Sequence, residues 1–351
     1  MNATKRAGLV GVTGYTGMEL TRLLAGHEGI ELVRATSRSE AGKPLSAIYP
    51  FLQGTKLAGL TITQPDIADL RENCDIVFLA VPHATAMDMA GQLLDAGARV
   101  VDLSADFRLR DPAVYQTWYK HEHSRTDILP QAVYGLVELY REDVRKARLV
   151  ANPGCYPTSS ILALYPALAE GLVETDDIVI DAKSGATGAG RKASLGSLFC
   201  EVSDTFRAYN LGKHRHTPEI EQEVSRIAGQ DILLSFNTHL LPINRGILST
   251  IYTRLKKGVD PAAVRAAYEK HYAGEAWVRL LPAGALPETR FVRGTMFCDI
   301  GLVTDPRTGR LIILSAIDNL CRGASGQALA NANLMLGLPE NMGLNLAPMV
   351  P

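Results

Sequence analysis

The stretch RAGLVGVTGYTGMELTRLLAGH, Arg6–His27, decides the fold. An apolar run leads into a turn with Gly11, Gly14 and Gly17, and an amphipathic helix follows. Strand, glycine turn and helix in this order are the context a dinucleotide fingerprint requires, here with one wider gap between the glycines. Backbone without side chains lets a pyrophosphate approach closely, and the helix N-terminus favours its charge. Gly11, Thr13, Gly14, Tyr15, Thr16 and Gly17 are the expected contacts. A tight turn without a ligand is the alternative meaning of the glycines alone.

More α/β units follow. IELVRATS and CDIVFLAVP predict strands, TAMDMAGQLLDAG a helix, and RVVDLSADFRL another strand with polar residues at its C-terminal end. Such alternation implies a parallel sheet covered on both faces, with ligands beyond the carboxyl ends of the strands. An NAD-selective fold places an acidic residue at the end of the second strand, roughly twenty residues past the glycines. Counting from Gly17 reaches Ser37 and Arg38, whereas Glu31 starts that strand at the far end. A hydroxyl and a planar guanidinium suit a 2′-phosphate, so NADP(H) is the expected cofactor.

After residue 153 the pattern changes to long β segments: DIVIDAKSGATGAGR, ILLSFNTHLLPINRGILSTIYTRL and RFVRGTMFCDIGLVTDPRTGRLIILSAID. Between them one helix stands out, DPAAVRAAYEKHY, and the closing segment SGQALANANLMLG is apolar enough to pack back onto the first domain. A mixed or antiparallel second domain is expected.

ANPGCYPTSSILALYPAL, Ala151–Leu168, joins the two. Pro153 and Gly154 break the preceding strand, Pro157 suits a first helical turn, and Cys155 falls at the helix N-terminus. A thiolate is stabilised there and is a nucleophile at neutral pH. A buried structural cysteine is the other possibility for this stretch alone. GKHRHTPEIEQEV sets His214 and His216 just before a helix start at Thr217 and Pro218. No third ligand cluster accompanies them, because His121 and His123 lie in a charged stretch read as surface. An imidazole that activates a thiol and returns its proton is the better use of the pair than a metal, with solvated loop histidines as the alternative. SGATGAGRKAS has Arg191 where a nucleoside-triphosphate loop needs lysine, so it fits only a Gly-rich loop near a cofactor. Arg108 of DFRL is read as a strand-end guanidinium able to hold an anion, or as an ordinary surface ion pair.

Composition sets the outer limits. The chain has 351 residues, 46% hydrophobic and 21% charged, with a net charge of -1. That suits two globular domains and offers no overall basis for binding nucleic acid or an anionic membrane. Five scattered cysteines (Cys74, Cys155, Cys200, Cys298, Cys321) without CxxC spacing argue for a reducing, cytoplasmic compartment. The start MNATKRAGLVGV superficially resembles a signal peptide, but its glycines and the lack of a cleavage-like segment argue against one. The charge-free run 149–169 is long enough to span a bilayer, yet its prolines and Asn152 point to a buried segment.

Together GVTGYTGMEL, LSADFRL, YGLVEL, ANPGCYPT, SGATGAGR, HRHTPEI and GLPE resemble the N-acetyl-gamma-glutamyl-phosphate reductase family, in order and over nearly the whole chain. Aspartate-semialdehyde dehydrogenases share the two-domain plan but have a different cysteine segment. The resemblance implies an α/β fold: a Rossmann-type parallel-sheet nucleotide domain (1–153, completed by 319–351) and an α+β catalytic and dimerisation domain of the glyceraldehyde-3-phosphate dehydrogenase-like kind (154–318). It implies NADPH-dependent reduction of a small acyl phosphate to an aldehyde in arginine biosynthesis, through a Cys155 thioester. His216 would act as acid and base, and His214 as a phosphate or orienting contact. Arg108, Asn152 and Gly154 would meet the substrate, and Ser184, Gly185, Gly188 and Asn319 would line the nicotinamide pocket. A homo-oligomer, dimer or tetramer, is expected, with no metal. The competing readings are a carrier-protein-linked aminoadipyl or glutamyl phosphate reductase of lysine or ornithine biosynthesis, and a non-catalytic NADP-binding sensor.

Overall fold

A computed structural model describes residues 4–350; the first three residues of the leader-like start lie outside the described residues. Two compact units divide the described residues, the first reaching Pro153 and adding Ala324–Leu346, the second comprising Gly154–Gly323 and the described residues from Ala347 onward.

Among the described residues, the first unit is built on a seven-stranded sheet: β1 (Lys5–Val10), β2 (Ile30–Thr36), β3 (Ile62–Thr63), β4 (Ile76–Leu79), β5 (Val100–Asp102), β6 (Ala132–Tyr134) and β7 (Leu149–Ala151). Their order is β3-β2-β1-β4-β5-β7-β6, and every neighbouring pair is parallel. Its helices are α1 (Tyr15–Ala25), α2 (Leu45–Ile48), α3 (Ile67–Asn73), α4 (Ala86–Asp95), α5 (Pro112–Tyr119) and α6 (Val137–Lys146). The run Ile76–Leu79 is buried at every position, as a strand covered on both faces must be.

Two readings of this unit need correction. RVVDLSADFRL is a strand only as far as Asp102. There the Asp102 carboxylate accepts from the N–H and hydroxyl of Ser104, both at 2.8 Å, and the Ser104 hydroxyl accepts from Asp106 N at 3.1 Å. These local bonds compete with the sheet ladder and end the strand, so Arg108 lies in an irregular segment beyond it. His123 is buried rather than on the surface. Its Nε2 lies 2.7 Å from the Asp106 carbonyl, and its ring meets Phe107 and Tyr115 edge-on.

The second unit also carries a seven-stranded sheet. In chain order it contains α7 (Cys155–Ala169), β8 (Val179–Gly185), α8 (Phe199–Val202), β9 (Arg207–Tyr209), α9 (Thr217–Ala228), β10 (Ser235–Leu241) and β11 (Ile247–Arg254). Next come α10 (Pro261–His271), β12 (Val278–Leu280), β13 (Cys298–Asp305) and β14 (Arg310–Ile317). The order β12-β13-β14-β11-β8-β10-β9 mixes parallel and antiparallel pairs. Helix α7 lies on β11 and β14 and beside α9 and α10. Its buried Ser159 hydroxyl bonds to those of Ser249 and Ser315, on β11 and β14, at 2.9 and 3.0 Å. The charge-free run is therefore divided between β7 and α7, and no helix among the described residues is long and apolar enough to cross a membrane.

The last helix, α11 (Gly326–Met335), belongs to the first unit, where Asn331 Nδ2 donates to Gly135 O and Asn152 Oδ1 at 2.9 and 3.1 Å. The return to this unit begins at Ala324 rather than at residue 319, and 347–350 fall with the second unit. Hydrogen bonds explain both shifts: Asn319 is tied to Gly246 and Thr187, and Met349 N donates to Arg293 O at 3.0 Å.

Candidate active site

In the first unit the three glycines have different duties. Gly11 sits at φ +88°, and a Cβ there would lie 2.3 Å from the Ala80 carbonyl oxygen. One at Gly17 would lie 2.5 Å from the Gly11 carbonyl oxygen. At Gly14 it would meet nothing nearer than 3.9 Å, so this glycine leaves space rather than avoiding a protein clash. Gly14 is the N-cap of α1, offers no side-chain cap, and no acidic residue occupies the first turn. These donors suit a diphosphate. Gly11 N and Val12 N donate to Thr36 O at 3.1 and 3.2 Å, which brings the end of β2 beside the turn. Ser37 follows, buried, with its hydroxyl 3.4 Å from that of Ser39, while Arg38 is exposed and Glu31 lies at the opposite end of the strand, beside its first residue. The residues present fit a dinucleotide carrying a 2′-phosphate.

Arg108 is also in this unit and is buried. Its Nε donates to Asn152 O at 2.7 Å and its Nη2 to Leu103 O at 3.0 Å, so its fork braces the main chain three residues ahead of the cysteine. Asn152 Nδ2 donates to Ala324 O at 3.1 Å.

In the second unit Cys155 is the first residue of α7, half-buried, with Gly154 as the N-cap. Gly154 N donates to Glu219 Oε1 at 2.8 Å, and this carboxylate is buried in the first turn of α9. Gly323 presses on Cys155 from another side: a Cβ there would lie 2.6 Å from Cys155 Cβ, too close to fit without a shift. Tyr156 turns its ring edge-on to His214 and His216, with centroids 5.3 and 6.0 Å away, and its hydroxyl is 2.7 Å from that of Tyr209. Burial raises both phenols, which stay neutral.

His214 accepts from His216 N through Nδ1 at 3.1 Å, which leaves its proton on Nε2. Burial, then the positive charge of Arg215, pulls its pKa down to about 4, so the ring is neutral at physiological pH. His216 is the N-cap residue of α9. Among the other cysteines, Cys74, Cys298 and Cys321 are buried, burial pushing the Cys74 thiol up to about 12, while Cys200 is exposed. No disulfide joins any of the five. Among the described residues no group of three or more His, Cys, Asp or Glu is arranged to hold a metal.

The Gly-rich loop after β8 is pinned by Asn319. Its Oδ1 accepts from Gly246 N at 2.8 Å and its Nδ2 donates to the Thr187 hydroxyl at 3.0 Å. A Cβ on Gly188 would lie 3.0 Å from Ser184 Oγ and 4.0 Å from Asn319 Nδ2, so Ser184, Gly188 and Asn319 form one cluster. Buried Asp318 holds the next turn by accepting from Leu320 N, Cys321 N and Gly294 N.

Sequence reasoning missed Glu219, although it lies inside the quoted HRHTPEI, as an acidic residue in a first helical turn. It also missed Gly323, whose partner Cys155 is distant in sequence and leaves no local pattern, and Asp318, which bonds both to the turn just after it and to the distant Gly294 N.

Comparison with known proteins agrees with both halves. Residues 6–147 match the family model described as semialdehyde dehydrogenase, NAD binding domain, and residues 155–319 match semialdehyde dehydrogenase, dimerisation domain. The N-acetyl-gamma-glutamyl-phosphate reductase of Desulfotalea psychrophila is 52% identical over 345 residues, covering 98% of this chain and 99% of the relative. That of Pelotomaculum thermopropionicum is 51% identical over 339 residues, covering 97% of each. The fold is similar to aspartate semialdehyde dehydrogenase II of Vibrio cholerae, with TM-score 0.71, 15% identity and coverage of 96% and 99%. It is also similar to the Candida albicans aspartate semialdehyde dehydrogenase solved with NADP, with TM-score 0.70, 17% identity and coverage of 97% and 100%. By its identity to these reductases over nearly its full length, this chain belongs to the N-acetyl-gamma-glutamyl-phosphate reductase family.

Proposed function

We propose that this chain reduces N-acetyl-gamma-glutamyl phosphate to N-acetyl-glutamate semialdehyde with NADPH, releasing phosphate, in arginine biosynthesis. The observation that carries this reading is Cys155 at the first position of α7, with its N-cap held by Glu219 and its neighbour Tyr156 packed on both histidines. The Cys155 thiolate attacks the acyl carbon, the carbon–oxygen bond to phosphate breaks, and a thioester remains. NADPH, when bound, supplies hydride to that carbon. His216 takes the thiol proton, gives a proton to the oxyanion of the reduced carbon, and takes it back as the carbon–sulfur bond breaks and the aldehyde leaves. His214, neutral and bonded to the His216 main chain, orients its partner rather than pairing with phosphate as a cation. Arg108 serves by fixing the main chain before the cysteine, and Asn152 and Gly154, expected to meet the substrate, instead shape that segment, because their polar groups bond to Ala324, Asn331 and Glu219. Ser184, Gly185, Gly188 and Asn319 line the nicotinamide side. The direct test is oxidation of NADPH in the presence of N-acetyl-gamma-glutamyl phosphate, monitored by absorbance; no oxidation by the purified protein sinks the proposal.

Ser37 and Arg38 give the cofactor preference. Arg38→Ala should weaken NADPH binding roughly tenfold to a hundredfold, the scale of one charge-assisted contact. NADH binding should hardly change. Equal loss of both, measured by fluorescence titration, would remove Arg38 from the 2′-phosphate.

The chain also assembles, in this reading, as a cytoplasmic homo-oligomer. Leu195, Leu198, Phe199, Phe206 and Leu211 are exposed within one short stretch of the second unit, Phe199 by 82%. A strip of this kind marks a contact surface. Phe199→Glu should shift sedimentation velocity toward the monomer, and an unchanged species distribution for wild type and variant would count against the strip.

A further inference from the structure

The segment after β5 has a second buried carboxylate that the chemistry above does not use. Asp106 Oδ1 accepts from Ala84 N and from the Tyr115 hydroxyl, both at 2.8 Å, and its Oδ2 accepts from Ala86 N at 3.0 Å. The adjacent Ala105 N donates to His83 Nδ1 at 3.0 Å. All these contacts lie within the first unit. They converge on the turn that follows β4, where Ala84 adopts φ +63°, a left-handed conformation that residues bearing a Cβ rarely take. Strained backbone persists where surrounding bonds over-determine it. The place matters as well as the strain. β4 neighbours β1, and there the sheet order reverses, so the two strand ends open the crevice where a doubly wound sheet binds its ligand. Gly11 packs closely on the chain that leads into this turn: a Cβ on it would lie 2.3 Å from the carbonyl oxygen of Ala80, two residues before Pro82.

We infer that Asp106 is a positioning residue for the dinucleotide, holding the 82–85 turn in the one shape that leaves the crevice beside Gly11 open to it. The inference rests on the reading of the first unit as the NADP(H) domain. Asp106→Asn faces an amide N–H₂ toward main-chain N–H groups and frees the turn. NADPH binding, followed by fluorescence titration, should weaken roughly tenfold, the scale of one buried polar mismatch. KM for NADPH should rise more than kcat falls. Glycine adopts left-handed backbone without cost, so adding Ala84→Gly to Asp106→Asn should restore most of the lost affinity. A merely structural carboxylate would give no such rescue, because glycine at residue 84 cannot repair a weakened core.

Ala84→Val reaches the same turn without touching a buried charge and should also weaken NADPH binding, since a β-branched residue resists this conformation. Wild-type affinity in folded Asp106→Asn, or in Ala84→Val, would overturn the inference, as would a double variant no better than Asp106→Asn. Wild-type protein that bound no NADPH would overturn the cofactor reading and this inference with it.

Discussion

Cys155→Ser is expected to abolish turnover, by about 10⁴-fold or more, the scale on which removing a nucleophile acts in covalent catalysis. Serine keeps the size and the helix-start geometry, so the fold and NADPH binding should survive. What is lost is the anion, because a hydroxyl is essentially un-ionised at neutral pH whereas thiols at helix N-termini form thiolate. The measurement is the rate of NADPH oxidation by purified variant, with NADPH affinity as the control. Substantial residual turnover would end the thioester mechanism. Alkylation offers an independent view. Buried Cys74, Cys298 and Cys321 should resist iodoacetamide. Cys155 alone should be protected when substrate is present. Mass spectrometry showing protection at every site, or none at Cys155, would contradict a reactive thiol there.

His216→Asn should lower kcat by about a hundredfold to ten-thousandfold, as expected for loss of a general acid–base group. Asparagine retains a polar side chain at the start of α9 but cannot carry a proton back and forth. His214→Asn should act differently. Its ring stays neutral down to about pH 4, so its protonation cannot produce an acid limb near neutrality. Its Nδ1 accepts from His216 N, so losing the ring should loosen His216 and raise KM more than it lowers kcat. The pH profile of kcat separates the two: its shape should change in His216→Asn, which removes the proposed acid–base group, and persist in His214→Asn. The reverse pattern would exchange the roles, and two silent substitutions would remove both histidines from the chemistry.

The local parts of this molecule were legible because their causes are local. Gly11, Gly14 and Gly17 announce a strand–turn–helix through backbone sterics, and Pro157 after Gly154 announces a helix start. The cysteine and the His-x-His were visible for the same reason. Where reading failed, side chains reached across the chain or back onto it. RVVDLSADFRL has the apolar opening of a strand, yet Asp102 and Ser104 bond locally and end it. His123 sits among charges in sequence but is enclosed by Phe107, Tyr115 and the Asp106 carbonyl.

The amino-acid order alone thus determined an α/β unit followed by a mixed β unit, a glycine turn between strand and helix, and a cysteine at a helix N-terminus, since each depends on residues within one or two turns of one another. Tertiary structure alone decided that Glu219 holds Gly154, that Gly323 sits where a Cβ would crowd Cys155, and that Arg108 braces Asn152. Each of these pairs is separated by between 44 and 168 positions, from Arg108–Asn152 to Cys155–Gly323. No periodicity carries information over that distance; packing brings the groups together, and the cost of leaving buried donors and acceptors without partners selects which of them meet.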